Sequence, residues 1–295
     1  MQTINAVKTR AVCRIPLVGC LQKATEYQSL QSNWRPVNDE QMEFMRHVDL
    51  THELSVFNKD EFDSIASTSA EEINKWLFDN GFTLRCPDIK DGFATASFVK
   101  IFVNWLDPGV KSAIKINDTL YTAVNFEHEE GKKIHQYGSD WGVTCLSTQE
   151  RGTKVFCAIR VDNMEADFDA LSDEQLLDIA EELEGNYSSA KTIFEGIKMP
   201  MLDMNMEVNH DWMCGIRNGD LHVDQCIQQF ILKLNESGAT AKSAAAMLFK
   251  RGCLQDTTLV FNKPFLLWFS RDGLTYPAFL AVCGTDCWKE PADLD

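Results

Sequence analysis

The stretch that most limits the fold is residues 153–161, TKVFCAIRV, where apolar residues follow one another almost without interruption. A strand with one solvent-exposed face alternates apolar and polar residues, so this run predicts a strand that is covered on both faces. Such a strand lies in the interior of a sheet. The chain is therefore predicted to fold around a large β-sheet.

Further strands are predicted by runs rich in β-branched and aromatic residues that end at turn signals. They span residues 93–105, 119–126, 141–147, 221–234, 261–270 and 276–284. The last two are separated by Arg271-Asp272-Gly273, which has the composition of a hairpin turn. Strands therefore dominate the predicted fold, and helices lie between them.

Two capping boxes, each followed by an apolar stripe, predict short surface helices. The first begins at Thr68-Ser69-Ala70-Glu71 and stops at Asn80-Gly81, and the second begins at Ser172-Asp173-Glu174-Gln175 with Gly185 just beyond its end. Their apolar stripes are Ile73, Trp76 and Leu77 in the first helix, and Leu176, Leu177, Ala180 and Leu183 in the second.

Residues 1–60 show no clean periodicity, and we predict no elements there. With 295 residues and 44% apolar composition, the chain is long enough to bury a large core. We expect a single α+β domain over residues 1–295, with residues 1–60 as a divergent N-terminal segment.

Charge and composition limit the partners and the compartment. With 28 basic and 44 acidic residues the formal net charge is −16, which argues against nucleic acid or an anionic membrane as a partner. No apolar run approaches the roughly 18 residues that span a bilayer. Ten scattered cysteines without CxxC pairs predict reduced, buried thiols and a cytoplasmic protein. An extracellular location is the alternative, and the sequons at Asn117, Asn186 and Asn235 would matter only there.

The usual motifs of enzymes are missing from the sequence. The six histidines form no HExxH and no zinc spacing with cysteine, and Cys283 and Cys287 lack a second pair. No GxGxxG, GxxxxGK[ST] or GxSxG occurs. We therefore predict no metal site, no cofactor and no enzymatic activity. A cysteine–histidine hydrolase stays open, because such partners meet only in space.

The segment of residues 235–264 is locally undecided about its structure. Small side chains over residues 238–246 fit a helix, a loop or a strand equally well, and a Lys250-Arg251 pair follows them. A segment that can adopt either structure is a candidate conformational switch.

Six segments around and upstream of this switch resemble the serpin superfamily in order and spacing. The segment DLHVDQCIQQFILKLNESG resembles the serpin strand that leads into the reactive loop, and GATAKSAAA its alanine-rich hinge. FNKPFLLWF and PAFLAVCG resemble the two closing strands. EEINKWLFDNG resembles the helix with the Ile-Asn-x-Trp motif, and ATASFVKIFVNW the strand that ends at a tryptophan. They span residues 220–238, 238–246, 261–269, 277–284, 71–81 and 94–105.

This resemblance implies a fold and a function. It implies an α+β protein with a large central mixed β-sheet, smaller sheets, surrounding helices and a truncated N-terminal helical region, and a reactive-loop region at residues 235–264. It also implies a monomeric suicide-substrate inhibitor of a trypsin-like serine protease or a cysteine protease. After cleavage the loop would insert into the main sheet as a new strand.

Insertion requires small residues at alternate loop positions, because side chains of a strand alternate between its two faces. The resemblance implies a hinge that consists of Glu236 and residues 238–246. One alternate set, which can be buried, is Ala239, Ala241, Ser243 and Ala245; the other, which would face outward, is Thr240, Lys242, Ala244 and Ala246. The only charge lies in the outward set, so the hinge is competent to insert.

Three residues are candidates for the residue just before the bait bond. Family spacing counted forward from Gly238 puts the cleaved bond after Gly252, and counting back from 262–264 puts it after Cys253. A trypsin-like protease would choose Arg251, because its specificity pocket carries a carboxylate. Cys253 is also a candidate for an exposed, oxidisable thiol.

Several positions depart from the family pattern. Gln228 stands where the central strand usually carries the shutter histidine, Ala281 replaces a glycine of the closing strand, and the Asn-x-x-Ser-Pro-x-Ser shutter segment is missing. The metastable sheet of an inhibitor depends on this region. The alternative is therefore a non-inhibitory binding or immune-modulating protein with the same fold.

Overall fold

The computed structural model describes residues 7–46, 53–127, 134–137, 140–162, 167–187, 191–194, 196–239, 258–292 and 294. Within these ranges the helices are α1 (Ile15–Tyr27), α2 (Asp39–Arg46), α3 (Ala70–Asp79) and α4 (Asp173–Gly185). None of these helices is long and apolar enough to cross a membrane.

The strands of the described residues are, in chain order, β1 (Arg10–Val12), β2 (Phe62–Ser67), β3 (Ala94–Val99), β4 (Val103–Asn104), β5 (Val110–Ile116), β6 (Thr119–Glu127), β7 (Ile134–Tyr137), β8 (Trp141–Leu146), β9 (Thr153–Arg160), β10 (Lys191–Phe194), β11 (Gly196–Pro200), β12 (Leu202–Asn209), β13 (Arg217–Asn218), β14 (Leu221–His222), β15 (Ile227–Leu234), β16 (Gly238–Ala239), β17 (Thr258–Val260), β18 (Phe265–Arg271) and β19 (Phe279–Cys283).

The chain forms two compact units that interleave along the sequence. The first unit comprises Met1–Val12, Phe102–Met204 and Leu232–Asp295, and the second comprises Cys13–Ile101 and Asn205–Ile231. Strands β12 and β15 pair with each other. The single domain over residues 1–295 stays a prediction.

The first unit is built on a seven-stranded sheet with the order β1-β19-β18-β9-β8-β7-β10, in which every pair is antiparallel. Strand β9 holds the middle position, which confirms that residues 153–161 contain a central strand. Helix α4 packs on this sheet with the predicted apolar stripe, which joins Phe156 and Trp268 in one core. Glu184 accepts hydrogen bonds from the Trp268 indole (3.1 Å) and the Ser270 hydroxyl (2.6 Å), so α4 is also held by polar contacts.

A second sheet of the first unit has the order β17-β11-β6-β5. Strands β11 and β17 are parallel, whereas β11–β6 and β6–β5 are antiparallel. The predicted α+β class with one large sheet and smaller sheets is confirmed. The parallel pairing that makes the architecture mixed lies in this smaller sheet.

In the second unit, helix α1 lies against the antiparallel pair β2–β3. Gly19 permits this contact, because a Cβ atom there would lie 2.2 Å from Ser97 Oγ and 2.8 Å from the Phe62 ring. Helix α3 buries Ile73 and Leu77 as predicted, and Gly81 ends it with a φ of 85°. Ser69, not Thr68, caps α3, because the Ser69 hydroxyl accepts the Glu72 amide.

Two predicted strands are wrong in extent. The run 93–105 is split into β3, which pairs with β2 and whose ladder continues to the bond between the Lys100 amide and the Glu61 carbonyl (2.7 Å), and β4, which pairs with β16. The run 221–234 is split into β14, which pairs with β13, and β15, which pairs with β12. Gly185 is the last residue of α4 and does not lie beyond it.

Candidate functional site

The candidate site is the end of the strand that leads to Trp105, in the first unit. A turn at residues 147–150 holds this end. Glu150 accepts hydrogen bonds from both the backbone amide and the side-chain amide of Asn104, each at 3.0 Å. The Gln149 backbone amide donates to the Asn104 carbonyl at 2.9 Å, and its side chain donates to the Trp105 carbonyl at 3.1 Å. One edge of β4 is therefore fixed by polar contacts.

The other edge of β4 carries the start of the predicted hinge. Strand β16 pairs antiparallel with β4, with Gly238 opposite Asn104 and Ala239 opposite Val103. A Cβ atom on Gly238 would lie 2.5 Å from the Val103 carbonyl oxygen. The two backbones approach so closely that only glycine fits at this position. Gly238 and Ala239 therefore form a strand beside β4.

Trp105 fixes the turn between β15 and β16. It is 1% exposed, its backbone amide donates to the Ser237 carbonyl at 3.3 Å, and its indole nitrogen donates to the Asn235 carbonyl at 3.0 Å. The Asn235 side-chain oxygen accepts the amides of Ser237 (2.9 Å) and Gly238 (3.3 Å). The chain thus reverses direction over residues 235–238, and hydrogen bonds to the backbone hold this turn.

Electrostatic contacts join the same turn to the rest of the first unit. The Lys111 ammonium is hydrogen-bonded to Glu290 and lies 3.8 Å from a Glu236 carboxylate oxygen. The pKa of Lys111 is raised, first by the hydrogen bond that Lys111 donates to Glu290 and also by the charge of Glu236. The Gly109 amide donates to the Glu236 carbonyl at 2.8 Å. Glu236 is therefore anchored through both its backbone and its side chain.

The structure brings together three of the predicted site residues, namely Glu236, Gly238 and Ala239. The others lie outside the described residues: Thr240, Ala241, Lys242, Ser243, Ala244, Ala245, Ala246, Arg251, Gly252 and Cys253. The inward and outward sets of the hinge and the position of the bait bond stay predictions. The chain is described again at β17, which pairs in parallel with β11.

Sequence reasoning missed most of the residues around the β4–β16 pair. Gln149 and Glu150 carry no motif, and they meet Asn104, which lies within residues 94–105, where Trp105 and Thr148 form an antiparallel bridge. The resemblance in residues 94–105 included Trp105, but its hydrogen bond to Asn235 spans 130 positions of sequence. Such a contact gives no signal in a local pattern.

The second unit shows what surrounds Gln228, which the sequence marked as a departure. The His210 ring nitrogen Nδ1 accepts a hydrogen bond from the Trp212 indole at 3.2 Å, so Nε2 carries the proton and donates to Gln228 Oε1 at 3.0 Å. The Gln228 side-chain amide then donates to the Cys13 carbonyl at 2.9 Å. A histidine is therefore present beside Gln228, supplied by the residue that follows β12.

The described residues contain no group of three or more metal-ligating side chains. Among the nine described cysteines none forms a disulfide. Burial raises the pKa of Cys13 to about 12 and that of Cys145 to about 12, so these thiols stay protonated at neutral pH.

Neither a protein-family model nor a curated protein sequence matches this chain. Solved structures do match it. The thermophilic serpin tengpin in its native state is 9% identical, with a TM-score of 0.59 over 95% of this chain and 89% of that chain. Thyroxine-binding globulin in complex with thyroxine is 10% identical, with a TM-score of 0.57 over 96% of this chain and 94% of that chain. A serpin from the trematode Schistosoma haematobium is 14% identical, with a TM-score of 0.54 over 94% and 93%.

These likenesses establish the architecture: the chain has the serpin fold. At 9–14% identity the comparison concerns the fold alone.

Proposed function

We propose that this protein is a serpin-like protease inhibitor that acts as a suicide substrate through residues 235–264. The observation that carries the proposal is the antiparallel pairing of β16 with β4. Strand insertion needs a starting point at which loop residues are already paired in register with a neighbouring strand. The residues that follow can then add to an existing ladder. Gly238 and Ala239 supply that starting point.

The chemistry of the proposed reaction belongs to the protease. Its serine or cysteine nucleophile attacks the carbonyl carbon of the bait residue, an acyl bond forms, and the amide bond of the loop breaks. The new amine leaves with a proton from the catalytic histidine of the protease. The inhibitor then inserts residues 240–246 beyond β16, which separates the acylated end from the leaving end.

The target class follows from the residues before the bait bond. Lys250 and Arg251 suit a specificity pocket that carries a carboxylate, as in trypsin-like serine proteases. A cysteine protease with basic specificity is the second target class. Cleavage after Arg251, Gly252 or Cys253 is distinguished by the mass of the released C-terminal fragment.

A gel assay tests the inhibitory function. The protein is mixed with trypsin-like and cysteine proteases, and the products are separated under denaturing conditions. We expect a complex with at least one protease that survives denaturation and that is missing when the nucleophile is blocked beforehand. If every protease of both classes cleaves the loop and none forms such a complex, the inhibitory function is contradicted. A binding function is then the alternative.

Two variants test the insertion step. Ala241→Arg places an unpaired charge in the inward set and is expected to convert the inhibitor into a cleaved substrate. Ala244→Arg makes the same change in the outward set and is expected to leave the ratio of complex to cleaved product unchanged. Equal ratios in the two variants would contradict insertion in the predicted register.

A further inference from the structure

Two cysteines of the first unit, Cys283 and Cys287, lie side by side outside the hinge site. Cys283 is the last residue of β19, and Cys287 ends the single 3₁₀ turn of residues 285–287 that follows this strand. The two thiols are hydrogen-bonded to each other, and the Cys287 thiol donates to the Gly284 carbonyl at 3.2 Å. One turn of the chain therefore brings two sulfur atoms within hydrogen-bond reach.

The turn that carries Cys287 is tied to residues 7–9, which precede β1. The Gly284 amide donates to the Thr9 hydroxyl at 3.1 Å, and the Thr9 hydroxyl donates to the Asp286 carboxylate. A Cβ atom on Gly284 would lie 2.3 Å from the Val7 carbonyl oxygen, so no larger residue fits there. These contacts hold the backbone next to the two thiols in one arrangement.

Two thiols are too few for a structural metal site. Structural zinc takes four protein ligands, and the described part of the chain holds no group of three or more metal-ligating side chains. Cys157 lies near Cys283, but burial raises the pKa of Cys157 and keeps this thiol protonated. The chemistry open to a hydrogen-bonded pair of thiols is the loss of two electrons and the formation of a disulfide.

The two thiols of the pair are not equivalent. The hydrogen bond with Cys283 lowers the pKa of Cys287, and this effect outweighs the burial that raises it. Burial raises the pKa of Cys283. The first proton of the pair therefore leaves Cys287, and Cys283 keeps its proton and donates it to the thiolate. A thiolate that attacks an oxidant and a second thiol that resolves the product are the two parts of a redox site.

We propose that Cys283 and Cys287 form a reversible redox site that takes a peroxide as its oxidant. This inference does not depend on the proposed inhibitory function. The site differs from the candidate thiol at Cys253, because it supplies its own resolving cysteine.

The reaction proceeds in two steps. The Cys287 thiolate attacks one oxygen of hydrogen peroxide, the O–O bond breaks, and the departing hydroxide takes the proton that Cys287 released and leaves as water. The Cys283 sulfur then attacks the sulfur of the Cys287 sulfenic acid, the S–O bond breaks, and a second water leaves with the Cys283 proton. Two electrons pass from the two sulfurs to the peroxide. Two molecules of a monothiol reverse the reaction by exchange and leave as their own disulfide.

An oxidant reaches the pair when the turn opens. Cys283 is 0% exposed and Cys287 is 3% exposed, whereas Asp286 is exposed. Within the turn, the Cys287 amide donates to the Gly284 carbonyl at 3.2 Å. A single 3₁₀ turn opens at lower cost than a strand inside a sheet. Opening therefore exposes Cys287 while Cys283 stays in β19, ready to resolve the sulfenic acid.

Peptide mapping of the full-length protein tests the site, because both cysteines fall in one tryptic peptide, residues 272–289. The protein is treated with hydrogen peroxide and quenched with acid, the remaining thiols are alkylated under denaturing conditions, and the peptide masses are measured. We expect peptide 272–289 to lack two hydrogen atoms and to carry no alkyl group. Treatment of the oxidised protein with reduced glutathione should return the doubly alkylated peptide. Peptide 155–160, with the buried Cys157, is the internal control and should stay alkylated.

Two variants separate the roles of Cys283. Cys283→Ser keeps a hydroxyl donor for the Cys287 thiolate, Cys283→Ala removes the donor, and neither variant can form the disulfide. We expect Cys287 to be oxidised to the sulfinic acid in both, severalfold faster in the serine variant than in the alanine variant. Equal rates would contradict activation of Cys287 by Cys283.

Four results with the wild-type protein would overturn the redox site. The first is a peptide 272–289 that stays doubly alkylated when the exposed Met42 has already become the sulfoxide. The second is a disulfide from either cysteine to another cysteine or to a second chain. The third is oxidation of Cys157 at the same rate as the pair. The fourth is a disulfide that reduced glutathione does not open, which would make the bond structural and not reversible.

Discussion

The indole nitrogen of Trp105 donates a 3.0 Å hydrogen bond to the carbonyl oxygen of Asn235. This bond joins the residue that follows β4 to the first residue of the predicted loop region. Trp105 is 1% exposed, so an unpaired carbonyl at Asn235 would have no ready access to water there. The contact links the stability of the first unit to the docking of β16.

Trp105→Phe tests this link. The variant removes the indole donor and part of the buried ring, and we expect a loss of about 2–3 kcal/mol in the free energy of unfolding. Hydrogen exchange at Gly238 is expected to accelerate, because the turn before β16 loses an anchor. The control is Trp288→Phe, which removes an indole bond to the Cys283 carbonyl (3.3 Å) away from the hinge. Faster exchange at Gly238 in both variants would contradict a specific role for Trp105.

Gly238→Ala is expected to undock the hinge. A Cβ atom there would overlap the Val103 carbonyl oxygen, so the pairing of β16 with β4 cannot persist in its present register. We expect the ratio of covalent complex to cleaved product to fall severalfold with every responsive protease. Gly185→Ala is the control, because a Cβ at Gly185 meets no atom within 4 Å. An unchanged ratio for Gly238→Ala would show that the docked pair is not the start of insertion.

Glu236→Gln tests the contact with Lys111. The two charges are 3.8 Å apart and Lys111 is about half exposed, so we expect a loss of at most about 1 kcal/mol in the free energy of unfolding. The loss should shrink in high salt, because exposed charges are screened. Urea unfolding at low and high salt measures both effects. A double-mutant cycle with Lys111→Met isolates the pair, and a coupling that ignores salt would contradict an electrostatic contact.

Alkaline pH is expected to destabilise the fold through its buried thiols. Burial raises the pKa of Cys13 from 9.0 to about 12, so above pH 9 the unfolded state loses a proton that the folded state keeps. The contribution of such a thiol to the free energy of unfolding is therefore fully present below pH 9. Above pH 9 the free energy of unfolding falls by up to about 1.4 kcal/mol per pH unit. Urea midpoints at pH 8 and pH 10.5 measure the fall. Cys13→Ala should reduce it, and an identical fall in that variant would contradict this origin.

The sequence predicts best where a local pattern and the tertiary environment agree. The continuous apolar run around Phe156 correctly indicated the central strand β9, because burial on both faces leaves no polar alternation. Ser172 and Gln175 form the predicted capping box of α4, since both of its bonds lie within four residues.

The N-terminal helix shows why other parts escape prediction. Helix α1 buries Ile15, Leu17, Val18, Gly19, Leu21, Ala24 and Thr25, and residues 17, 18, 21, 24 and 25 follow the helical spacing. Its N-terminus has no side-chain cap, and a proline and a glycine, the two poorest helix formers, stand within its first two turns. The helical period is therefore present in the sequence but is weakened by the missing cap and by these two residues.

The hinge site depends on contacts that are distant in sequence. The resemblance to serpins identified Glu236 and Gly238 because small residues and motif spacing survive in the sequence. Their partners Val103, Asn104 and Lys111 lie more than 120 positions away, and the register between them is set by tertiary structure. The resemblance therefore identified Glu236 and Gly238, and local patterns missed the residues that contact them.

In the proposed mechanism, the cleaved loop inserts as a strand that starts at Gly238 and Ala239, and insertion can be measured as a change in thermal stability. The loop is cut within residues 250–253 by a catalytic amount of a trypsin-like protease, and the thermal midpoints of intact and cleaved protein are compared. Insertion adds a strand with its hydrogen bonds and buried side chains, so we predict a large rise in the midpoint after cleavage. An unchanged or lower thermal midpoint in fully cleaved protein would contradict insertion of the cleaved loop.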